Sequence, residues 1–283
     1  MNLATIRLRK DDGAEGTRAV RVDGNTLVDL GAADVAAVLA TEGWQESAAA
    51  ATGTTYDAAG ADYAPLVPRP GKVVCVGLNY RNHILEMGRD LPEHPTLFSK
   101  YADTLIGAHD EIHRPVETEA FDWEAELTVV IGTSVRRADE EQAAAAIAGF
   151  TVLNDITCRD WQFRTREWLQ GKNWDHTTPV GPVLVTPDEL PGGVRPALAI
   201  SCEVDGELMQ KDSTADLLFD PVALVQYVST MIRLEPGDLI ATGTPGGVGH
   251  ARKPEVYLSA GQRVVTEIEG IGRLENVVVA DPS

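Results

Sequence analysis

The sequence predicts an α+β protein, mostly β, in which a small N-terminal α/β domain (residues 1–69) precedes a larger β-rich domain (residues 70–283). Three observations predict it. Short runs that alternate apolar and polar residues, or are apolar throughout, recur between Gly, Asp and Asn turn signals. Helical periodicity comes only in brief patches without regular strand–helix alternation, so a doubly wound parallel sheet is not expected. Finally, "APLVPRPGK" places three prolines where no helix can continue, and the chain changes character after it.

The elements follow in order. "TIRLRK" and "TRAVRVDGNTLVDLG" read as strand–turn–strand about Asp23-Gly24-Asn25. "AADVAAVLATEG" has the pattern of a short amphipathic helix, and "ESAAAATGTTYDAAGADYA" is a poor helix or a loop. "KVVCVGLNY" is a buried strand ending at Gly77 and Asn79. "AELTVVIG" is a strand, and "DEEQAAAAIAGF" a helix with acids in its first turn, where the helix dipole favours them. "FTVLNDIT" is a strand with a polar end, and "FRTREWLQG" a short helix with Gly171 just past it. "ALAISCEVDGELMQ" is a hairpin about Asp205-Gly206. The clearest helix is "DPVALVQYVSTMIRLEPGD": Asp220 suits the N-cap, Pro221 the first position, and Val222, Val225, Val228, Met231 and Ile232 share a face. "GDLIATGTPGG" and "QRVVTEIEGIGRLENVVV" are strands with Gly-rich turns.

Composition excludes several function classes. A hydrophobic content of 43% with 24% charged residues excludes general disorder. The net charge of -19 argues against a nucleic-acid partner, since a polyanion binder needs a basic face. Three scattered cysteines, Cys75, Cys158 and Cys202, fit neither a disulfide framework nor a zinc knuckle. "MNLATIRLRKDDG" lacks the apolar core of a signal peptide, and no apolar run reaches the roughly 18 residues of a membrane span. The expectation is a soluble cytoplasmic protein.

Two patterns carry chemistry. In "FDWEAELTVVIG", Glu124 and Glu126 are two apart on a strand and so share a face. Two carboxylates so close repel unless a cation or proton intervenes. Asp155, ending "FTVLND", is a plausible third ligand. An all-carboxylate set points to Mg²⁺ or Mn²⁺ rather than Zn²⁺. Asp122 is left as a surface or turn residue. In "GLNYRNHILEMG", His83 and Glu86 are three apart and lie on one side of a helical turn, where the carboxylate can orient a basic imidazole. A solvated strand face and a surface ion pair would show the same spacings. The other histidines, His94, His109, His113, His176 and His250, read as surface or loop residues. "GTPGG" lacks the Lys-Ser/Thr of a phosphate loop.

Six ordered stretches together resemble the fumarylacetoacetate hydrolase family: "GLNYRNHILEMG", "PTLFSKYADTLIG", "DWEAELTVVIG", "LNDITCRDWQ", "GKNWDHTTPVGP" and "PGDLIATGTPGGVG". The resemblance covers most of the chain after Pro70. It implies a mixed β-roll and a homodimer. It implies Mg²⁺ or Mn²⁺ on Glu124, Glu126 and Asp155, and water activation by His83 and Glu86. Lys172 would stabilise developing negative charge. Arg159, Gln162, Thr244 and Lys100 would contact substrate, although Tyr101 stands after Lys100 where the family often has proline.

The implied reaction is hydrolysis of the C–C bond of an acylpyruvate, with fumarylpyruvate or a related product of aromatic catabolism as first substrate. Decarboxylation of oxaloacetate and isomerisation of a 2-oxo-hept-ene-dioate use the same machinery. A catalytically silent binding protein is the reading outside enzymology.

Overall fold

Alternating and apolar runs this short can bury their side chains only by joining sheets, and most of the chain does so. The computed structural model describes residues 1–9, 15–86 and 88–282, with the side chains of Arg9, Glu15 and Glu86 also outside the description. Its strands form two main mixed sheets. The first runs, edge to edge, through Thr55–Asp57, Thr26–Asp29, Glu15–Asp23, Asn2–Arg9, Thr178–Val185, Ile147–Asn154, Ala125–Ile131, Leu239–Ala241, Val73–Gly77 and Thr96–Lys100. The second runs through Glu207–Ser213, Ala199–Val204, Arg263–Ile268, Gly272–Ala280 and Ile112–Arg114. Antiparallel pairs dominate, and Leu239–Ala241 runs parallel to Val73–Gly77. The fold is mostly β, as the turn-bounded runs predict.

The N-terminal strands continue the large sheet: Asn2, Leu3 and Ala4 pair with Val185, Leu184 and Val183. Helices are short. Asp139 caps Glu140–Ala145 in a capping box with Gln142, and the following residues enter the strand Ile147–Asn154 rather than extending the helix. Asp220 caps Pro221–Met231 by accepting from Ala223 N–H. Val222, Val225 and Val228 of that helix are buried, but Met231 and Ile232 are 56% and 47% exposed. Ile232 has already turned extended, which takes the end of the expected apolar face off the core.

Two further expectations are refined. The stretch read as a poor helix or a loop is both: its first residues end the helix Trp44–Ala50, anchored by buried Trp44 and Ala48, and the rest is irregular apart from the strand Thr55–Asp57. Gly171 lies inside a helical turn, Leu169–Lys172, rather than past its end. A Cβ there would stand 2.5 Å from the Gln162 Cβ, so glycine permits the turn carrying Lys172 to pack on the turn Arg159–Gln162. The hairpin about Asp205-Gly206 forms with both residues at positive φ. All three cysteines are free and buried. Among the described residues, no helix is long and apolar enough to cross a membrane.

Candidate metal centre and active site

The strand Ala125–Ile131 lies in the middle of the large sheet and is buried along its whole length. Its antiparallel neighbour pairs Asn154 with Ala125, so the next residues outward, Glu124 and Asp155, meet across the strand ends. The Asp155 N–H donates to the Glu124 carbonyl at 2.9 Å. Glu126 sits one pair inward, opposite Leu153. Cross-strand neighbours stand about 5 Å apart at Cβ, and side-chain oxygens of Glu124, Glu126 and Asp155 come within 4.8 Å of one another.

Cations close around this cluster. Lys172 Nζ bridges Glu124 Oε2 at 2.6 Å and Asp155 Oδ2 at 2.8 Å. Lys100 Nζ donates to Asp155 Oδ1 at 2.7 Å and to the Ile156 carbonyl at 3.2 Å. Arg159 Nη1 reaches Glu124 Oε1 at 2.7 Å and Gln162 Oε1 at 3.0 Å. Burial alone would push Asp155 upward, but the two ammonium groups override it and hold its carboxyl below the usual carboxylate range. Lys172 and Arg159 are also desolvated, yet their carboxylate neighbours keep both firmly charged.

Glu126 is the exception. It is 1% exposed, and the Gly243 N–H donates to its Oε2 at 2.8 Å. Burial first, then the Asp155 and Glu124 charges, push its carboxyl well above the ordinary range. Gly243 is held at φ 101°, and a Cβ on it would stand 2.9 Å from the Val76 carbonyl oxygen. Only glycine lets that backbone turn deliver its N–H here. An all-oxygen donor set at this spacing, with one carboxylate short of compensating charge, fits a hard divalent cation.

The cluster opens on a cavity of about 240 Å³. Glu124, Glu126, Arg159, Gln162 and Lys172 line it, with Thr244 and His83 elsewhere on the wall. Lys100 and Asp155 do not line it. Lys100, expected against the substrate, is fully buried on Asp155 instead. Thr244 Oγ1 accepts from Gln210 Nε2 at 2.8 Å, and Gln210 Oε1 accepts from Ala125 N–H at 3.0 Å, which fixes the threonine loop to the head of the carboxylate strand. His83 lies on the short helix Arg81–Glu86. The Glu86 side chain, its expected partner, falls outside the described residues.

Sequence reasoning missed three groups. Asp122 is not a surface residue but fully buried. Its Oδ1 accepts from Trp123 and Gly249 N–H, and its Oδ2 from His250 N–H and Arg159 Nε. Asp122 shares its parity with Glu124 and Glu126, the one local signal that points to it. His250, read as a surface or loop residue, lines the cavity, and so does Arg89, which no sequence pattern singles out. Neither has a periodic neighbour that could reveal it.

A mixed β fold carries a buried three-carboxylate centre beside a small cavity whose wall sets charged side chains among apolar ones, the arrangement of an enzyme site rather than of a structural ion pair. Residues 72–279 match the fumarylacetoacetate (FAA) hydrolase C-terminal model, and the chain belongs to that family. The mitochondrial oxaloacetate tautomerase of Rattus norvegicus is 44% identical over 214 residues, 75% of this chain and 68% of the rat protein. The structure of a fumarylacetoacetate hydrolase from Exiguobacterium antarcticum superposes with TM-score 0.83 at 32% identity, covering 98% of this chain and 99% of that one. A 2-hydroxyhepta-2,4-diene-1,7-dioate isomerase from Mycobacterium marinum gives TM-score 0.78 at 29% identity over the whole of both chains. The chain is thus an enzyme of a superfamily that holds tautomerases, isomerases and hydrolases.

Proposed function

We propose that the enzyme moves a proton between carbon and oxygen in a small 2-oxo diacid, with keto–enol interconversion of oxaloacetate as its reaction. The observation that carries this reading is the cavity wall itself. It joins one imidazole on a short helix, His83, to two buried cations, Lys172 and Arg159, around about 240 Å³. That volume is below the ~300–1,000 Å³ of sites for drug-sized ligands. The 44% identity to a tautomerase supports the same reading.

Glu124, Glu126 and Asp155 are the residues that would hold Mg²⁺ or Mn²⁺. When bound, such an ion supplies Lewis-acid polarisation of a carbonyl oxygen. The chain's own residues supply the rest. His83 takes the proton from the carbon beside the 2-oxo group and can return it to carbon or oxygen. Lys172 faces the negative charge that develops on that oxygen. Arg159, fixed between Asp122, Glu124 and Gln162, orients the carboxylate end; its buried Nη2 has no partner among the described residues and offers a donor. Thr244 presents its hydroxyl from a loop held by Gln210.

A second reading is C–C hydrolysis of an acylpyruvate. It is favoured by the groove of about 740 Å³ that adjoins His83 and leaves room for a longer acyl chain and a water. A homodimer belongs to this proposal, with sedimentation velocity as its check.

The test follows the ultraviolet absorbance of enol oxaloacetate in the presence of Mg²⁺, beside pyruvate release from acylpyruvates. Wild type should accelerate enol decay, and His83→Ala should slow it by about 10²–10⁴-fold. An unaltered rate in His83→Ala would sink the assignment of the base. Pyruvate release without any enol decay would replace the first reading by the second.

A further inference from the structure

The cavity opens outward past His250 into the adjoining groove, whose wall carries Arg89, Arg252 and Lys253 against one acid, Glu255. This is a local excess of positive charge in a chain of net charge -19. His250 and His83 line both spaces. We propose that His250 is a specificity-determining residue that receives the second carboxylate of the substrate. The proposal rests on the reading of the inner cavity as a 2-oxo acid site and names what the outer end of that substrate must carry.

The ring of His250 is held from behind. Its Nδ1 lies 2.8 Å from the Tyr257 hydroxyl, and that hydroxyl donates to Glu255 Oε2 at 2.9 Å. A phenol has one proton and a carboxylate only accepts, so the Tyr257 oxygen must accept from Nδ1–H. Hydrogen-bond bookkeeping thus assigns the tautomer and leaves Nε2 for the cavity. A carboxylate that arrives there together with a proton places that proton between its oxygen and Nε2, and Glu255 Oε1, 3.6 Å from Nδ1, stands behind the ring as the acidic partner. The Phe163 ring, 5.2 Å away between centroids, limits how the imidazole can swing. Tyr257 and Glu255 are therefore positioning residues.

The backbone ties this outer site to the inner one. The His250 N–H donates to Asp122 Oδ2 at 3.0 Å, and the same oxygen accepts from Arg159 Nε at 2.8 Å. One carboxylate thus sets the separation between the arginine at the inner end and the imidazole at the outer end. A fixed separation selects by substrate length as well as charge.

The experiment measures binding of L-malate and L-lactate, a dicarboxylate and a monocarboxylate that share the 2-hydroxy acid end, by calorimetry with saturating Mg²⁺. Wild type should prefer malate by about tenfold or more, the size expected for one charge-assisted hydrogen bond. His250→Phe should bring the two affinities together by weakening malate alone. His250→Gln, which keeps a donor near Nε2, should retain most of the preference. Tyr257→Phe should reduce it by about threefold through a loosened ring. An undiminished preference in His250→Phe overturns the proposal, as does an equal loss of both ligands or no preference in wild type. If malate preference depends on His250 while oxaloacetate shows no enol decay, the subsite stands and the tautomerase reading falls.

Discussion

Replacing Asp122 by asparagine is the sharpest test of how the site is held together. Each carboxylate oxygen accepts two donors: Trp123 and Gly249 N–H at 2.9 and 2.7 Å on one, His250 N–H and Arg159 Nε at 3.0 and 2.8 Å on the other. Asparagine keeps one acceptor oxygen and turns an NH₂ toward the remaining two donors. Whichever way it flips, two hydrogen bonds are lost and two buried donors face a donor. If the amide faces Arg159, a charged partner is stranded as well, and breaking a buried pair costs about 3–5 kcal/mol. For a chain of this size that lowers Tm by roughly 5–8 °C. Urea denaturation followed by tryptophan fluorescence should show the loss with m unchanged, and kcat/KM should fall with it because Arg159 is released at its Nε. A stability loss below about 1 kcal/mol would refute the view of Asp122 as the clamp between Arg159 and the loop at Gly249–His250.

Four further outcomes are expected. Lys172→Met, which removes the bridge between Glu124 and Asp155, should lower kcat about 10²–10³-fold in steady-state assays. Adding Mg²⁺ to EDTA-treated protein should raise stability by about 2.7 kcal/mol at a hundredfold excess over Kd, measured by thermal denaturation, and Glu124→Ala should abolish that gain. In EDTA, an acid raised by burial, Asp155 and Glu124 binds its proton more tightly folded than unfolded, so stability should rise as pH falls through the raised Glu126 value; Asp155, held low, opposes this only near and below its ordinary value of 3.8, and Glu126→Gln should flatten the rise. Gly77→Ala places a Cβ 2.2 Å from the Trp168 ring on the cavity wall and should cost about 1–3 kcal/mol in urea denaturation, with a higher KM.

The strands were legible because each is a local pattern closed by a turn signal, as at Asp205-Gly206. The helix at Pro221 was legible from its cap alone. Period 2 brought Glu124 and Glu126 to one side, but the face they share is interior rather than wet. No single-strand pattern reports that, because burial depends on which strands flank it. The contact between Asp155 and Glu124 follows from register across two strands; the polar end of "FTVLND" suggests Asp155 as a ligand, but a single strand cannot say which neighbour it meets. His250 was illegible for another reason: Tyr257 is reached through a loop without repeat, and Asp122 lies 128 positions away along the chain.

The pairing of Asn2–Ala4 with Val183–Val185 has a practical consequence. The family match begins at residue 72, which invites expression of a shorter enzyme from that point. Such a truncation would strip the neighbour from Val183–Val185 and leave the outward N–H and C=O groups of that end as an open template for other chains. It would also remove Leu3, Leu66 and Val67 from the core they share with Val73, Leu184 and Leu239. The first 69 residues act as the selvedge of the catalytic sheet, and a trimmed protein should be sought in inclusion bodies rather than in the soluble fraction.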